Sequence, residues 1–271
     1  MDISASAVKE LREKTGVGMM DCKKALVETG GDLEKAVAYL REKGLSVATK
    51  KSDRAADQGR FFSSIRQGRG VLLDVGCETD FVSGNADFKA LGDAIATAAA
   101  NDASVQSLED LEKTQIDGKS LKEVVSSAVL KLGENISVRE MIVFDQAGML
   151  FSYIHQTGKI GVLLEFSGSL AEELGKDIAM HIAASAPLCL SQEEVPVSEL
   201  DREKEIIRNQ AINEGRPEKL LEKIVEGRIA KFFKENCLLE QTFVKDPEKT
   251  IKSLLPEGSK IVRFKRLAYS A

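Results

Sequence analysis

Apolar positions in the first forty-odd residues recur at helical spacing between sharp polar stops. Val8 and Leu11 follow Ser4 and Ser6, either of which can cap a first helix, and Thr15-Gly16 stops it. Gly18-Met19-Met20-Asp21 reads as a tight connection, with Asp21 as the N-cap of a second helix carrying Ala25 and Leu26. Gly30-Gly31 ends that helix. Asp32 then caps a third, in which Leu33, Ala36, Val37 and Leu40 share one face. The pattern predicts a three-helix bundle of about 45 residues, near the size at which a core alone is marginal. Gly44 is expected to end it, and the polar stretch from Ser46 to Gln58 reads as a linker with some helical character. Met19 and Met20 have two readings. At least one fills the small core, or one stays exposed as an adaptable contact, a role that suits a flexible, polarizable side chain.

Beyond residue 58 the pattern changes and then repeats. Phe62-Ser63-Ser64-Ile65-Arg66-Gln67 matches Phe151-Ser152-Tyr153-Ile154-His155-Gln156, and Gly70-Val71-Leu72-Leu73-Asp74 matches Gly161-Val162-Leu163-Leu164-Glu165. Leu91-Gly92 with Ile95-Ala96 answers Leu174-Gly175 with Ile178-Ala179, and Val138-Arg139 answers Val262-Arg263. Each copy predicts a β-hairpin, an alanine-rich helix and a closing strand. Two such copies make a duplicated α+β core, each a small antiparallel sheet with helices on one face.

The copies differ in two places. From Val71 to Leu91 there are 91 − 71 = 20 positions, and from Val162 to Leu174 there are 174 − 162 = 12, so the first copy carries 8 extra residues there. That longer segment holds Thr79-Asp80-Phe81-Val82. Phe81 either caps the end of the sheet, which composition alone favours, or protrudes as an aromatic anchor with Asp80 beside it. The second difference follows Pro187. Leu200, Ile206, Ile207 and Ala211 lie among dense charges; Gly215-Arg216-Pro217 breaks the run; Leu221, Ile224, Val225, Ile229, Phe232 and Phe233 resume it, with Pro217 suited to the first position of the new helix. Residues 198–235 therefore read as an antiparallel helical hairpin that mostly buries its own stripes or reaches a partner as an arm. The expected divisions are 1–52 for bundle and linker, 53–145 for the first repeat and 146–271 for the second with its hairpin.

Composition narrows the function. The chain has 271 residues, 43% hydrophobic and 30% charged, with net charge −5 and pI about 5.4. That suffices for one large core or about two domains. A mildly acidic chain has no electrostatic reason to hold nucleic acid, although Lys50, Lys51 and Arg54 form a small basic run. With 5% aromatic residues and no tryptophan, a base-stacking platform is not expected. Cys22, Cys77, Cys189 and Cys237 form no C-x-x-C pair and lie far in sequence from His155 and His181. This argues against a zinc site or a sequence-local redox pair and for reduced thiols in a cytosolic protein. The start of the chain lacks the basic and apolar regions of a signal peptide, and no apolar run approaches the ~20 residues of a membrane helix. No Walker-type phosphate loop and no nucleophile–base pair is visible, so an enzyme is not expected. An adaptor that uses the N-terminal bundle to bind ubiquitin-like tails is the alternative class.

Several strings together resemble the elongation factor Ts family across essentially the full length. They are Leu11-Arg12-Glu13-Lys14-Thr15-Gly16 with Gly18-Met19-Met20-Asp21-Cys22-Lys23-Lys24-Ala25-Leu26, Thr79-Asp80-Phe81-Val82, Ile160-Gly161-Val162-Leu163, His181-Ile182-Ala183-Ala184, Glu226-Gly227-Arg228 and Phe243-Val244-Lys245-Asp246-Pro247. The resemblance implies a ubiquitin-associated-like bundle, a duplicated α+β core and an inserted coiled-coil hairpin. It implies guanine-nucleotide exchange on elongation factor Tu in the cytoplasm, through its GDP-bound and nucleotide-free forms, with no cofactor, membrane or nucleic acid involved. It further implies that Thr79, Asp80, Phe81 and Val82 disturb the magnesium site of the GTPase, with Phe81 entering between helices of its nucleotide domain. Arg12, Met19 and Met20 would touch that domain as well, and the hairpin holding His155 would reach another. The chain departs from longer family members after Arg266-Leu267-Ala268-Tyr269, where an additional helical module is not expected.

Overall fold

The computed structural model describes residues 3–145 and 148–269. Three helices open the chain: α1 (Ala5–Thr15), α2 (Met19–Glu28) and α3 (Leu33–Lys51). Ser4 caps α1 by accepting from the Ala7 N–H, and Gly16 ends it at φ 68°, a left-handed conformation that costs glycine little. Asp32 caps α3 by accepting from the Glu34 and Lys35 N–H groups. Val8, Leu11, Val17, Cys22, Ala25, Leu26, Ala36 and Leu40 form the buried core of the bundle. Two expectations fail here. Asp21 is not the cap of α2, because the helix already begins at Met19 after Gly18, and Asp21 instead holds Lys43 at 2.5 Å. Gly44 does not end α3, and the supposed linker is helical to Lys51. A Cβ on Gly44 would lie 3.2 Å from the Ser126 carbonyl oxygen, so glycine serves here as a close-approach point.

The first repeat contains β1 (Gln58–Arg66), β2 (Arg69–Cys77), α4 (Asp80–Gly84), α5 (Ala86–Asn101), α6 (Leu108–Lys113), β3 (Gln115–Ile116), β4 (Lys119–Ser120), α7 (Leu121–Leu132) and β5 (Ile136–Asp145). Its sheet runs β1-β2-β5, antiparallel throughout, with Phe62 opposite Leu73 and Val71 opposite Val143. The β1–β2 turn places Gln67 at φ 49° and Gly68 at φ 78°, the paired positive values that a two-residue hairpin needs. Phe62, Val71, Leu73 and Val75 pack against Phe88, Leu91, Ile95, Ala96 and Ala99 of α5, and α7 adds Val129. Val47 and Ala48 of α3 join this cluster, and Leu130 of α7 joins the bundle core. By contact density the bundle and the first repeat belong to one compact unit, Met1–Gln146 with Gln156–Gly161 and Leu267–Ala271.

The second unit, Ala147–His155 with Val162–Arg266, holds most of the second repeat. The elements of the second repeat are β6 (Met149–Ile154), β7 (Ile160–Ser167), α8 (Glu172–Ser185), α9 (Val197–Asn213), α10 (Leu221–Asn236), β8 (Thr242–Phe243), β9 (Asp246–Thr250), α11 (Ile251–Leu254) and β10 (Lys260–Ala268). The sheet runs β10-β7-β6, the order of the first repeat read from its closing strand. Helices α9 and α10 pack on each other through Ile207, Val225 and Ile229, with Leu200 and Phe233 partly covered. Arg228 reaches Glu214 at 2.8 Å across the pair. Pro217 precedes α10 by one short 3-10 turn (Glu218–Leu220) instead of opening it.

Candidate functional site

The eight residues that distinguish the first copy fold into an ordered element. After Cys77 the chain leaves β2, and Thr79, in extended conformation, caps the single-turn helix α4 by accepting from the Val82 N–H at 3.3 Å. Asn85 ends α4 and caps α5 by accepting from the Asp87 N–H at 2.8 Å. Val82 is half-buried against the core of the first repeat, and Ser83 is buried with its hydroxyl donated to the Asp80 carbonyl. Asp80 and Phe81 face solvent, and Phe81 is 87% exposed. The reading of Phe81 as a sheet cap therefore fails. Its inward neighbours fill that role, and the ring is left on the outer side of the turn.

The base of α4 is stitched to the connection between α7 and β5. The Glu134 carboxylate accepts from the Glu78 N–H (3.1 Å), the Thr79 N–H (2.9 Å) and the Thr79 hydroxyl (2.5 Å). In return, the Glu78 carboxylate accepts from the Asn135 N–H at 2.7 Å, and the Asn135 amide donates to the Ser52 and Arg54 carbonyls. Cys77 beneath the turn is buried and donates to the Thr79 carbonyl at 3.1 Å, and burial pushes its thiol up to about 11. Nearby, Tyr269 donates to Asp74 at 2.6 Å and its ring lies 4.8 Å from the Arg139 guanidinium and 4.6 Å from the Lys159 ammonium. Burial lowers the Lys159 pKa, opposed by Cys77 and Asp80.

The remaining candidates are dispersed. Arg12 is exposed on α1. Met19 and Met20 open α2 at 43% and 78% exposure, so neither fills the bundle core. Within the second unit His155 is exposed, with Tyr153 Oη 3.3 Å from its Nδ1. Sequence reasoning missed Glu134, Asn135 and Tyr269, since an acid–amide pair after a helix and a tyrosine near the chain's end carry no periodic signal. It also missed that Cys189 and Cys237 meet, their sulfurs 3.4 Å apart across an isolated β-bridge, with burial raising both thiols. Among the described residues no helix is long and apolar enough to cross a membrane.

Comparison with known proteins adds the family. Residues 78–270 match the family model described as Elongation factor TS. A protein named Elongation factor Ts from Clostridium acetobutylicum is 50% identical over 266 residues, covering 95% of this chain and 87% of the relative. One of the same name from Clostridium botulinum is 48% identical over 266 residues, covering 95% and 88%. Another from Clostridium perfringens is 48% identical over 268 residues, covering 96% and 88%.

Proposed function

The chain belongs to the elongation factor Ts family, and on that premise we propose that it is a guanine-nucleotide exchange factor that releases GDP from elongation factor Tu. The single observation that carries the proposal is Phe81, a large aromatic left 87% exposed on a short helix that the second repeat lacks. An aromatic this exposed gives the fold little, and burial of such a ring by a partner is the kind of contact that dominates interfaces.

Exchange needs no titrating group of the factor. A factor that binds the nucleotide-free GTPase better than the GDP form weakens GDP by the same ratio that GDP weakens the factor. The magnesium ion of the GTPase bridges phosphate oxygens to protein, so displacing it removes much of the grip on GDP. In this reading Thr79, Asp80, Phe81 and Val82 act on that site, Arg12, Met19 and Met20 hold the nucleotide domain, and His155 contacts a further domain. Residues 1–52 are the ubiquitin-associated-like bundle with its extension, 53–145 and 146–271 the two repeats, and 198–235 a coiled-coil hairpin that prolongs the complex. The factor works in the cytoplasm, without a cofactor, and touches neither nucleic acid nor membrane. The test is release of a fluorescent GDP from purified elongation factor Tu. Catalytic amounts of this protein should accelerate it, and an unchanged rate would refute the proposal.

A further inference from the structure

We propose that Glu134 is the positioning residue of the exchange loop: its carboxylate, which accepts hydrogen bonds from the Thr79 hydroxyl and two backbone N–H groups, fixes the helix that presents Phe81. The proposal rests on the exchange reading above and adds a residue outside the loop.

The argument starts from how little α4 has to hold it. It is a five-residue helix, Asp80–Gly84, too short to be stable by its own hydrogen bonds. Its inner face offers only Ser83 and part of Val82. Beyond this packing on β1, β2 and α5, its N-terminal turn is held by its cap. A threonine hydroxyl caps well only when its lone pairs face the helix, which requires its own proton to go elsewhere. Here the hydroxyl donates to Glu134 Oε1, oxygen to oxygen 2.5 Å, while Oγ1 accepts from Val82 N–H at 3.3 Å. The result is a relay from the Val82 amide through the Thr79 hydroxyl to a carboxylate, in which each bond polarises the next. The other oxygen of Glu134 holds the Glu78 and Thr79 N–H groups, at 3.1 and 2.9 Å, and so fixes the backbone just ahead of the cap.

Glu134 is itself held. It follows Gly133, the left-handed stop of α7 at φ 81°, and precedes Asn135, whose side chain is bonded to the Ser52 and Arg54 carbonyls. The Glu78 carboxylate completes the exchange by accepting from the Asn135 N–H. The turn that carries Phe81 is thus tied to the hydrogen-bonded junction of α7 and β5, 53 positions along the chain (134 − 81 = 53). A residue that enters a partner must arrive pre-oriented, because an anchor that samples many positions spends binding energy on ordering itself.

The experiment measures GDP release from elongation factor Tu against factor concentration for the wild type, Glu134→Ala, Glu134→Gln, Phe81→Ala and the Glu134→Ala/Phe81→Ala double variant. Loss of a charge-assisted cap should lower the release rate at saturating factor about tenfold in Glu134→Ala, with the half-saturating concentration changed less than about twofold. Glu134→Gln, which keeps one acceptor oxygen, should fall between, and it replaces the alanine variant if that one does not fold. In the Phe81→Ala background the Glu134 substitution should add little, because the group it positions is gone. Amide hydrogen exchange of the free factor should quicken at Thr79 and Val82. A Glu134→Ala rate within twofold of wild type, or an equal loss with and without Phe81, would overturn the assignment. If the wild type itself fails to release GDP, the exchange reading falls instead. Glu134 is then judged by amide protection at Val82 alone, and unchanged protection in the variant would overturn its positioning role.

Discussion

The two repeats share a scaffold down to individual contacts. In the first, α5 lies so close to β1 that a Cβ on Gly92 would sit 2.2 Å from the Phe62 ring; in the second, a Cβ on Gly175 would sit 2.4 Å from the Phe151 ring. In the first, Arg139 of the closing strand pairs with Asp74 at 2.8 Å; in the second, Arg263 pairs with Glu165 at 2.6 Å. One thing not shared is the passage from central strand to helix, where the first copy builds α4 and leaves Phe81 outside; the α9–α10 hairpin of the second copy is another. Contacts present twice maintain the fold. The scaffold seen twice does not need α4, and the outward Phe81 on it is where the proposed exchange role is tested.

The comparison breaks most visibly at the glycines. Gly92→Ala and Gly175→Ala should each cost about 1–3 kcal/mol, because the added methyl overlaps a ring held by a packed sheet. Chemical denaturation of the two variants checks this, and a neutral result at one glycine would end the claim of equivalent packing. The ion pairs come next and should respond unequally. Glu165 is buried, so Arg263→Ala leaves a carboxylate with poor access to water and should cost about 2 kcal/mol. Asp74 keeps the Tyr269 hydroxyl as a donor, so Arg139→Ala should cost its Asp74 pairing less than that. A double-mutant cycle on each pair separates this from the other bonds of Arg139.

The smallest effect is a pH dependence confined to the second copy. His181 is buried on α8 where the first copy has Ala98. Burial holds its pKa below the usual value, partly offset by the bond of its Nε2 to Gln241 at 2.9 Å, while its Nδ1 accepts from Val244 N–H. The folded protein therefore resists a proton that the unfolded chain accepts. Stability is unaffected above the unfolded value of about 6.5 and falls as pH drops below it toward the folded pKa. Melting between pH 7.5 and 5.5 should show a decline that is shallower in His181→Gln. Equal slopes would assign the decline to other groups.

Much of this architecture was legible in the sequence because duplication supplies its own control. The hairpin, alanine-rich helix and Val-Arg closing strand could be aligned within one chain, and the 8-residue excess located α4 before any geometry was known. The misreadings are local. Gly44 looked like a helix stop, since glycine is a poor helix former, but its missing side chain lets α3 lie against Ser126 and continue. Asp21 looked like a cap because Met19-Met20 suggested a turn, yet those two residues already belong to the helix and point outward. Phe81 could not be placed from composition, because most loop phenylalanines are buried and nothing in its neighbours marks the outer side of the turn. The Glu134 clasp was invisible for a different reason. It joins side chains to backbone across 55 positions (134 − 79 = 55), and long-range polar pairing leaves no periodic trace.

The central claim is that Phe81 serves a partner and not the fold, and the direct test is to melt Phe81→Ala alone while assaying its GDP release from elongation factor Tu in parallel. A core phenylalanine truncated to alanine costs about 3–5 kcal/mol of stability. An exposed one should leave the melting temperature nearly unchanged, while release slows by the equivalent of about 2 kcal/mol or more, roughly thirtyfold. A large fall in melting temperature, with near-normal release by the protein that remains folded, would contradict the account.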